Sequence, residues 1–202
     1  MELFYTPGVC SLSPHIVLRE VGAEFDLTQV NLAEKTTDKG GDYKEVNPRG
    51  YVPALRVSTG DVITEGSAII QYLADQFPES GLAPAAGTIE RAKLHSALNF
   101  VAAEVHKSFA PLFDASSTDE LKEAAQKKVV SRFDMAEDMF KDGREYLMGS
   151  KFSIVDAYLF TVSTWLQMVG IDINQWPNVS KFADRIRNRP SVQAAMKAEG
   201  LI

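Results

Sequence analysis

Leu3-Phe4-Tyr5-Thr6-Pro7-Gly8-Val9-Cys10-Ser11-Leu12-Ser13-Pro14-His15-Ile16-Val17-Leu18 is the stretch on which the fold turns. Leu3 to Tyr5 reads as a short apolar strand, and Thr6-Pro7-Gly8 as a turn. From Ser11 to Val21 the apolar residues Leu12, Ile16, Val17, Leu18 and Val21 recur on one helical face, and Gly22 is placed to end the helix. Pro14 falls in the first turn, where a missing N–H costs little. Cys10, the one cysteine of the chain, therefore sits at a strand-to-helix junction. Amides and dipole at a helix start favour a thiolate, which predicts a thiol pKa below the free value of about 8.5. A small buried apolar residue is the competing reading, and position alone leaves both open.

The pattern continues outward from this junction. Phe25 to Leu32 reads as a second strand, and the polar, glycine-bearing Ala33 to Gly41 as a loop. Ala54 to Val57 and Val62 to Ile63 flank the turn Ser58-Thr59-Gly60-Asp61, which is a hairpin signal. Ser67 to Phe77 is helical and Pro78 closes it. The order is strand, helix, strand, then hairpin and helix, with a thiol after the first strand, and that is a thioredoxin-like arrangement.

Glu79 to Gly87 carries Pro, Gly and Ala and reads as a linker. Everything beyond it is helical. Thr88 to about Phe113 is one long amphipathic helix. Ser117-Thr118-Asp119-Glu120 matches a capping box, opening a helix that stops near Gly143. Ser153-Ile154-Val155-Asp156 is a variant of that cap and opens a very apolar helix through Met168. Pro177 to Asn188 and Ser191 to Glu199 complete the set. The expected fold class is α/β followed by all-α: a thioredoxin-like domain at 1–78, a linker at 79–87 and an all-helical domain at 88–202.

Composition narrows the function classes. A chain of 202 residues buries about 70% of its unfolded surface and needs no disulfide. A single cysteine fits a reducing compartment. The net charge of -6 argues against nucleic acid as a partner. No apolar run approaches the roughly 20 residues of a membrane span, and the N-terminus lacks the regions of a signal peptide. A cytoplasmic location with no membrane partner is the expectation.

Four motifs resemble those of the glutathione S-transferases, and specifically the bacterial beta class. They are Tyr5-Thr6-Pro7-Gly8-Val9-Cys10-Ser11, Asn47-Pro48-Arg49-Gly50-Tyr51-Val52-Pro53-Ala54-Leu55, Thr64-Glu65-Gly66-Ser67-Ala68-Ile69 and Glu104-Val105-His106-Lys107. Phe152-Ser153-Ile154-Val155-Asp156-Ala157 is similar to the folding motif of that family. The resemblance spans nearly the whole chain. The second and third motifs are general to transferases of this fold, whereas Cys10 with His106-Lys107 marks the class.

The resemblance implies an enzyme of detoxification that joins the glutathione thiolate to hydrophobic electrophiles, with Cys10-dependent thiol–disulfide exchange as a second activity. It implies glutathione as co-substrate, no cofactor and no metal. Two rivals stand beside it: a monothiol oxidoreductase of the glutaredoxin kind, since Cys10-Ser11-Leu12-Ser13 lacks a second cysteine, and a non-enzymatic protein that binds glutathione or hydrophobic ligands.

Site residues follow from chemistry and resemblance together. Val52-Pro53 precedes a strand, and sequence alone leaves its peptide cis or trans. The resemblance implies cis, with the Val52 backbone turned to pair with an extended peptide. Glu65-Gly66-Ser67 opens a helix after a strand, where amides bind anions and a carboxylate suits an ammonium group. That is a simple helix cap by spacing, and a site for the γ-glutamyl end of glutathione by resemblance. Lys35, in a loop, becomes a contact to a glutathione carboxylate.

Asn99 and His106 are seven residues apart, nearly two helical turns, and so face the same way on a regular helix. Spacing alone reads them as solvated surface. Resemblance makes His106 catalytic beside Cys10, adds His106 and Lys107 as glutathione contacts, and has Asn99 and Glu104 reach glutathione from a homodimer partner. Leu94, Leu98 and Val101 on this helix are expected to need cover from that partner. The electrophile cannot be read from sequence; Phe109, Phe113, Trp165 and Met168 are candidates to line its pocket. Tyr5 is expected to be structural.

Overall fold

A computed structural model describes residues 1–202. It divides into two compact units, Met1–Ala83 with Arg187–Ile202, and Pro84–Ile186.

The first unit is built on a five-stranded sheet of order β3-β2-β1-β4-β5. Its strands are β1 (Glu2–Tyr5), β2 (Asp26–Asn31), β3 (Thr36–Thr37), β4 (Ala54–Arg56) and β5 (Val62–Thr64). β1 is central, and Leu3, Phe4 and Tyr5 are all buried, as a strand covered on both faces requires. It pairs parallel with β2, Leu3 opposite Leu27, which demands the crossover that α1 (Leu12–Glu20) supplies. β4 and β5 form the expected antiparallel hairpin, Leu55 opposite Ile63. α2 (Gly66–Gln76) follows. The loop expected at 33–41 contains the two-residue β3, which pairs Val30 with Thr37 and Asn31 with Thr36. Two residues show no alternation that a sequence reading can detect.

The second unit is helical. α3 (Ile89–Asn99) is capped by Thr88, whose hydroxyl accepts from the Arg91 amide at 3.1 Å. The helix expected over 88–113 is not regular. A π-helical stretch occupies Phe100–His106, and only the short α4 (Ala110–Phe113) follows. α5 (Asp119–Met139) starts from Thr118, whose hydroxyl accepts from Leu121, so the cap lies one residue later than the box predicts. The apolar helix after Ser153 breaks into α6 (Ile154–Ser163) and α7 (Trp165–Met168). α8 spans Pro177–Arg187.

The last helix differs from the sequence division at 88–202. α9 (Pro190–Ala198) buries Val192, Ala195 and Met196 and packs against α1, so it belongs to the first unit. Glu20, at the end of α1, takes hydrogen bonds from Arg189 and Ser191 at the start of α9. Order along the chain cannot reveal such a return.

Asp156 is the buried polar anchor of the second unit. Its carboxylate accepts from the Ser153 amide at 2.8 Å, the Ser153 hydroxyl at 2.7 Å and the Leu147 amide at 2.7 Å. Asp156→Ala leaves two buried amides without that acceptor, at an expected cost of about 3 kcal/mol. Urea denaturation should register this as a lower midpoint; an unchanged midpoint would contradict the assignment.

Candidate active site

Four of the expected site segments lie in the first unit: Cys10, Lys35, Val52–Pro53 and Glu65–Ser67. Cys10 lies in the turn before α1, and its Sγ is 3.3 Å from the Val52 carbonyl oxygen, to which the thiol donates. The amides of Leu12 and Ser13 reach the carbonyls of Val9 and Cys10, and that of His15 reaches Ser11; Pro14 has none. The first four positions of α1 therefore have no amide to spare for the sulfur. Of the two effects expected at the helix start, the dipole remains and those amides do not.

The Val52–Pro53 peptide is cis, as the resemblance implies. Both residues are buried, and the Val52 N–H donates to no protein acceptor. The preceding carbonyl is fixed hard. Tyr51 O accepts from Tyr43 Oη at 2.8 Å and from Asn47 Nδ2 at 2.7 Å. Tyr43 is wholly buried in a cluster with Phe4, Val30, Val52 and Ala54. Burial pushes its phenol up to about 12, so it stays a donor at neutral pH. Neither Tyr43 nor Asn47 emerged from the sequence reading as a site residue. Asn47 stands in the second motif, but Tyr43 carries no local signal.

Lys35 takes a left-handed backbone, φ +59°, held by its own N–H to Asn31 O at 2.8 Å and its carbonyl to Tyr43 N at 2.7 Å. Its side chain runs along Gly50, and Nζ donates to Gly50 O at 3.0 Å. A Cβ on Gly50 would meet Lys35 Cδ at 3.1 Å, so glycine there gives the lysine its path.

Glu65 precedes α2 with φ +69° and ψ +116°, a strained conformation for a residue with a side chain. Its carbonyl accepts from Ala68 and Ile69, each at 3.0 Å. The amides of Gly66 and Ser67 donate to no protein acceptor. A Cβ on Gly66 would rest 3.6 Å from Pro53 Cγ and 3.9 Å from Ser13 Oγ, which puts the start of α2 beside Pro53 and α1. The Glu65 carboxylate pairs with Arg49 at 3.1 Å, both side chains exposed. Such a pair contributes about 0–1 kcal/mol and yields readily to another cation.

Asn99, Glu104, His106 and Lys107 lie in the second unit. The expected shared stripe of Asn99 and His106 is not found. A π turn holds one residue more than an α turn, so the face rotates by roughly 100° across it. Asn99 is exposed, whereas His106 is largely enclosed. His106 Nδ1 is 2.7 Å from Tyr158 Oη, and its ring meets Trp165 edge-on with centroids 4.9 Å apart. Burial, and secondarily the Lys107 ammonium beside it, push the imidazole down to about 4. Glu104 is engaged by Arg132 Nε at 2.7 Å, and Lys107 is exposed.

Of the four pocket candidates, Phe109 and Trp165 are buried, whereas Phe113 and Met168 are exposed. Phe109, Phe113 and Trp165 stack and cross at 5.5–6.1 Å. Leu94, Leu98 and Val101 are already buried in the single chain, so they give no reason for a partner's cover. Tyr5 is buried, its phenol pushed up by burial and by the Glu199 carboxylate, which fits a structural role. Tyr158 was missed in the sequence because a tyrosine inside an apolar helix reads as core.

His106 yields a pH prediction. Between its ordinary 6.5 and about 4, the unfolded chain binds a proton that the folded chain excludes. Stability from this group is therefore complete above about 6.5 and is lost as pH falls through that window. NMR of the His106 ring should show a neutral imidazole at pH 6 and a midpoint near 4. A midpoint at or above 6 would contradict the enclosure.

Two family models match the chain: the glutathione S-transferase N-terminal domain over residues 9–76 and the C-terminal domain over 100–190. The glutathione S-transferase GstA of Escherichia coli O157:H7 is 42% identical, with all of both chains covered. A sphingomonad glutathione S-transferase solved in complex with glutathione is 46% identical, covers 100% of each chain and superposes with a TM-score of 0.96. The bacterial beta class glutathione S-transferase of Sphingomonas chungbukensis is 48% identical over 100% of each chain, with a TM-score of 0.97. Cys10, the cis Val52–Pro53 peptide and the open start of α2 thus stand in a chain that belongs to the glutathione S-transferase family, in its bacterial beta class.

Proposed function

We propose that the chain transfers glutathione to hydrophobic electrophiles and exchanges disulfides through Cys10. The observation that carries this reading is the setting of the lone thiol. Cys10 Sγ touches the carbonyl of Val52, whose amide is unspent, and α2 offers two unspent amides at Gly66 and Ser67. A short peptide with a free amino-acid end suits that arrangement. Its α-carboxylate takes the Gly66 and Ser67 amides, and its ammonium replaces Arg49 at Glu65. Its central amide pairs with Val52 beside Pro53, and its far carboxylate meets Lys35.

In conjugation, the glutathione thiolate attacks the electrophilic carbon and a carbon–sulfur bond forms. The leaving group departs with its electron pair, and the thiol proton passes to solvent. The Cys10 hydrogen, given to Val52 O in the free protein, is a donor that can turn to the glutathione sulfur. His106, neutral at working pH with one nitrogen engaged by Tyr158, serves as donor or base through the other. Asn99, Glu104 and Lys107 are proposed as further glutathione contacts, Asn99 and Glu104 toward the ligand of a second copy in a homodimer. In exchange, the Cys10 thiolate attacks glutathione disulfide, forms a mixed disulfide and releases a glutathione thiolate; an acceptor thiolate then attacks the glutathione sulfur of that mixed disulfide, a new disulfide forms on the acceptor, and Cys10 leaves as thiolate. No helix is long and apolar enough to cross a membrane, and we propose a cytoplasmic enzyme of detoxification.

Two mutants test this. Glu65→Ala should lower glutathione affinity at least tenfold, the worth of a charge-assisted hydrogen bond of roughly 1.5–3 kcal/mol. Calorimetry showing equal affinity in a folded mutant would overturn the ammonium assignment. Cys10→Ala should abolish disulfide exchange, since the chain has no other thiol, and leave a reduced conjugation that uses the glutathione sulfur itself. Exchange that persists in the mutant would refute the role of Cys10.

A further inference from the structure

Glu199 is a buried carboxylate that the proposed chemistry does not use. It is the C-cap of α9, and Gly200, at φ +69°, turns the chain beyond it so that Leu201 N returns to Met196 O at 2.9 Å. Glu199 Oε1 lies 2.8 Å from His15 Nδ1, and both side chains are shut off from solvent. Its Oε2 accepts from the Gly8 amide at 2.9 Å. Arg19 Nε donates to His15 Nε2 at 3.4 Å, which leaves the imidazole hydrogen on Nδ1, pointing at Glu199.

A carboxylate is costly to bury and persists when its oxygens are met. Packing α9 on α1 does not demand this one. At the opposite end of the same helix pair, Glu20 holds Arg189 and Ser191 with partly exposed groups. At the Cys10 end the carboxylate reaches past α1 to a backbone amide two residues before the thiol. The loop Thr6–Ser11 is tied from within by Ser11 Oγ, which accepts from Thr6 N at 3.1 Å and donates to Thr6 O at 3.0 Å. Val9 N reaches Thr6 O at 3.4 Å, and the Val9 and Cys10 carbonyls accept from Leu12 N at 3.0 Å, from Ser13 N at 3.3 Å and from Ser13 Oγ at 3.0 Å, so α1 holds the far side of the loop while Glu199 meets its Gly8 amide. Gly8 has φ +73°, and a Cβ there would stand 3.3 Å from Leu201 Cδ2, so the same return of chain walls the loop from outside.

We propose that Glu199 is a positioning residue for the Cys10 thiol. It holds the Gly8 amide and so sets where the loop carries the sulfur, which makes the last helix a working part of the thiol site. Lys35, Val52 and the Glu65–Ser67 segment lie on other elements and keep their places without it. The turnover arm of the test rests on the exchange activity proposed above; the other arms read Cys10 and Gly8 directly.

Glu199→Ala should lower kcat for exchange with glutathione disulfide at least fivefold, with KM within twofold. It should raise the rate of Cys10 alkylation by iodoacetamide at least threefold. Glu199→Gln keeps an oxygen for the Gly8 amide but sets its NH2 against the Nδ1 hydrogen of His15; because the Gly8 contact is the one that positions the thiol, it should still bring both readouts to within twofold of wild type. Glu20→Ala loosens the same helix pair away from the loop; it should lower the melting temperature and move neither readout. A folded Glu199→Ala with wild-type alkylation and kcat would overturn the proposal, as would Glu20→Ala shifting both equally. Should Glu199→Ala not fold, amide exchange of the wild type decides. Protection of the Gly8 amide at the level of β1 supports the proposal, and exchange at the rate of an open loop refutes it. Wild type without exchange activity would count against the reading of function and leave alkylation and amide exchange to judge Glu199.

Discussion

The Tyr51 carbonyl, gripped by Tyr43 and Asn47, is the constraint on which the first unit's site depends. A peptide edge that is to meet a ligand must leave polar groups unspent, yet unspent buried groups destabilise a fold. The chain resolves this by saturating the neighbour. Tyr51 O accepts from Tyr43 and Asn47, so the segment is fixed without spending the polar N–H of Val52. Val52 keeps its N–H without a protein acceptor while its carbonyl meets the thiol. The grip is insensitive to pH because a phenol pushed up to about 12 neither loses its hydrogen nor gains charge under working conditions. It is also insensitive to ligand, because Tyr43 is locked by apolar packing with Phe4 and Val52.

The second unit shows the opposite strategy, a local departure from regularity. Had Ile89 to Phe113 been one α-helix, Asn99 and His106 would share a face, and the imidazole would be as wet as the amide. The π stretch turns His106 inward onto Tyr158 and Trp165 instead. Desolvation then decides its charge state: the ring is held neutral, and a neutral imidazole gives one donor and one acceptor rather than two donors. A change of backbone register by one residue thus sets the chemistry that a side chain can perform.

These two cases mark what was legible in the sequence. The strand–turn–helix start, the hairpin, the helices and the cis peptide were readable because each rests on local pattern or on motifs that resemble a family. The sequence also named Cys10, Lys35, Val52 and Glu65, which come together in one unit. What it could not yield depends on contacts between distant residues. Tyr43 reads as one more aromatic and Tyr158 as core. Leu94, Leu98 and Val101 read as needing a partner because a sequence does not display their cover within the chain. The π stretch escaped for a related reason: Phe100 to His106 still carries a helical apolar pattern, and periodicity does not report a single extra residue in a turn.

Two buried carboxylates serve as directional ties. Asp156 and Glu199 both sit at helix ends, and both accept backbone amides from a loop that their own helix does not contain. The first joins the Leu147 loop to the start of α6, and the second joins the Gly8 loop to the end of α9. In each case a charge that would be unfavourable alone becomes a directional tie, because a carboxylate can accept from two places at once and an apolar side chain from none. Apolar burial holds α1 against α9 but allows sliding, since it is non-directional. The carboxylate removes that freedom at the end of the helix pair nearest the thiol, where a displacement of the loop is a displacement of the sulfur.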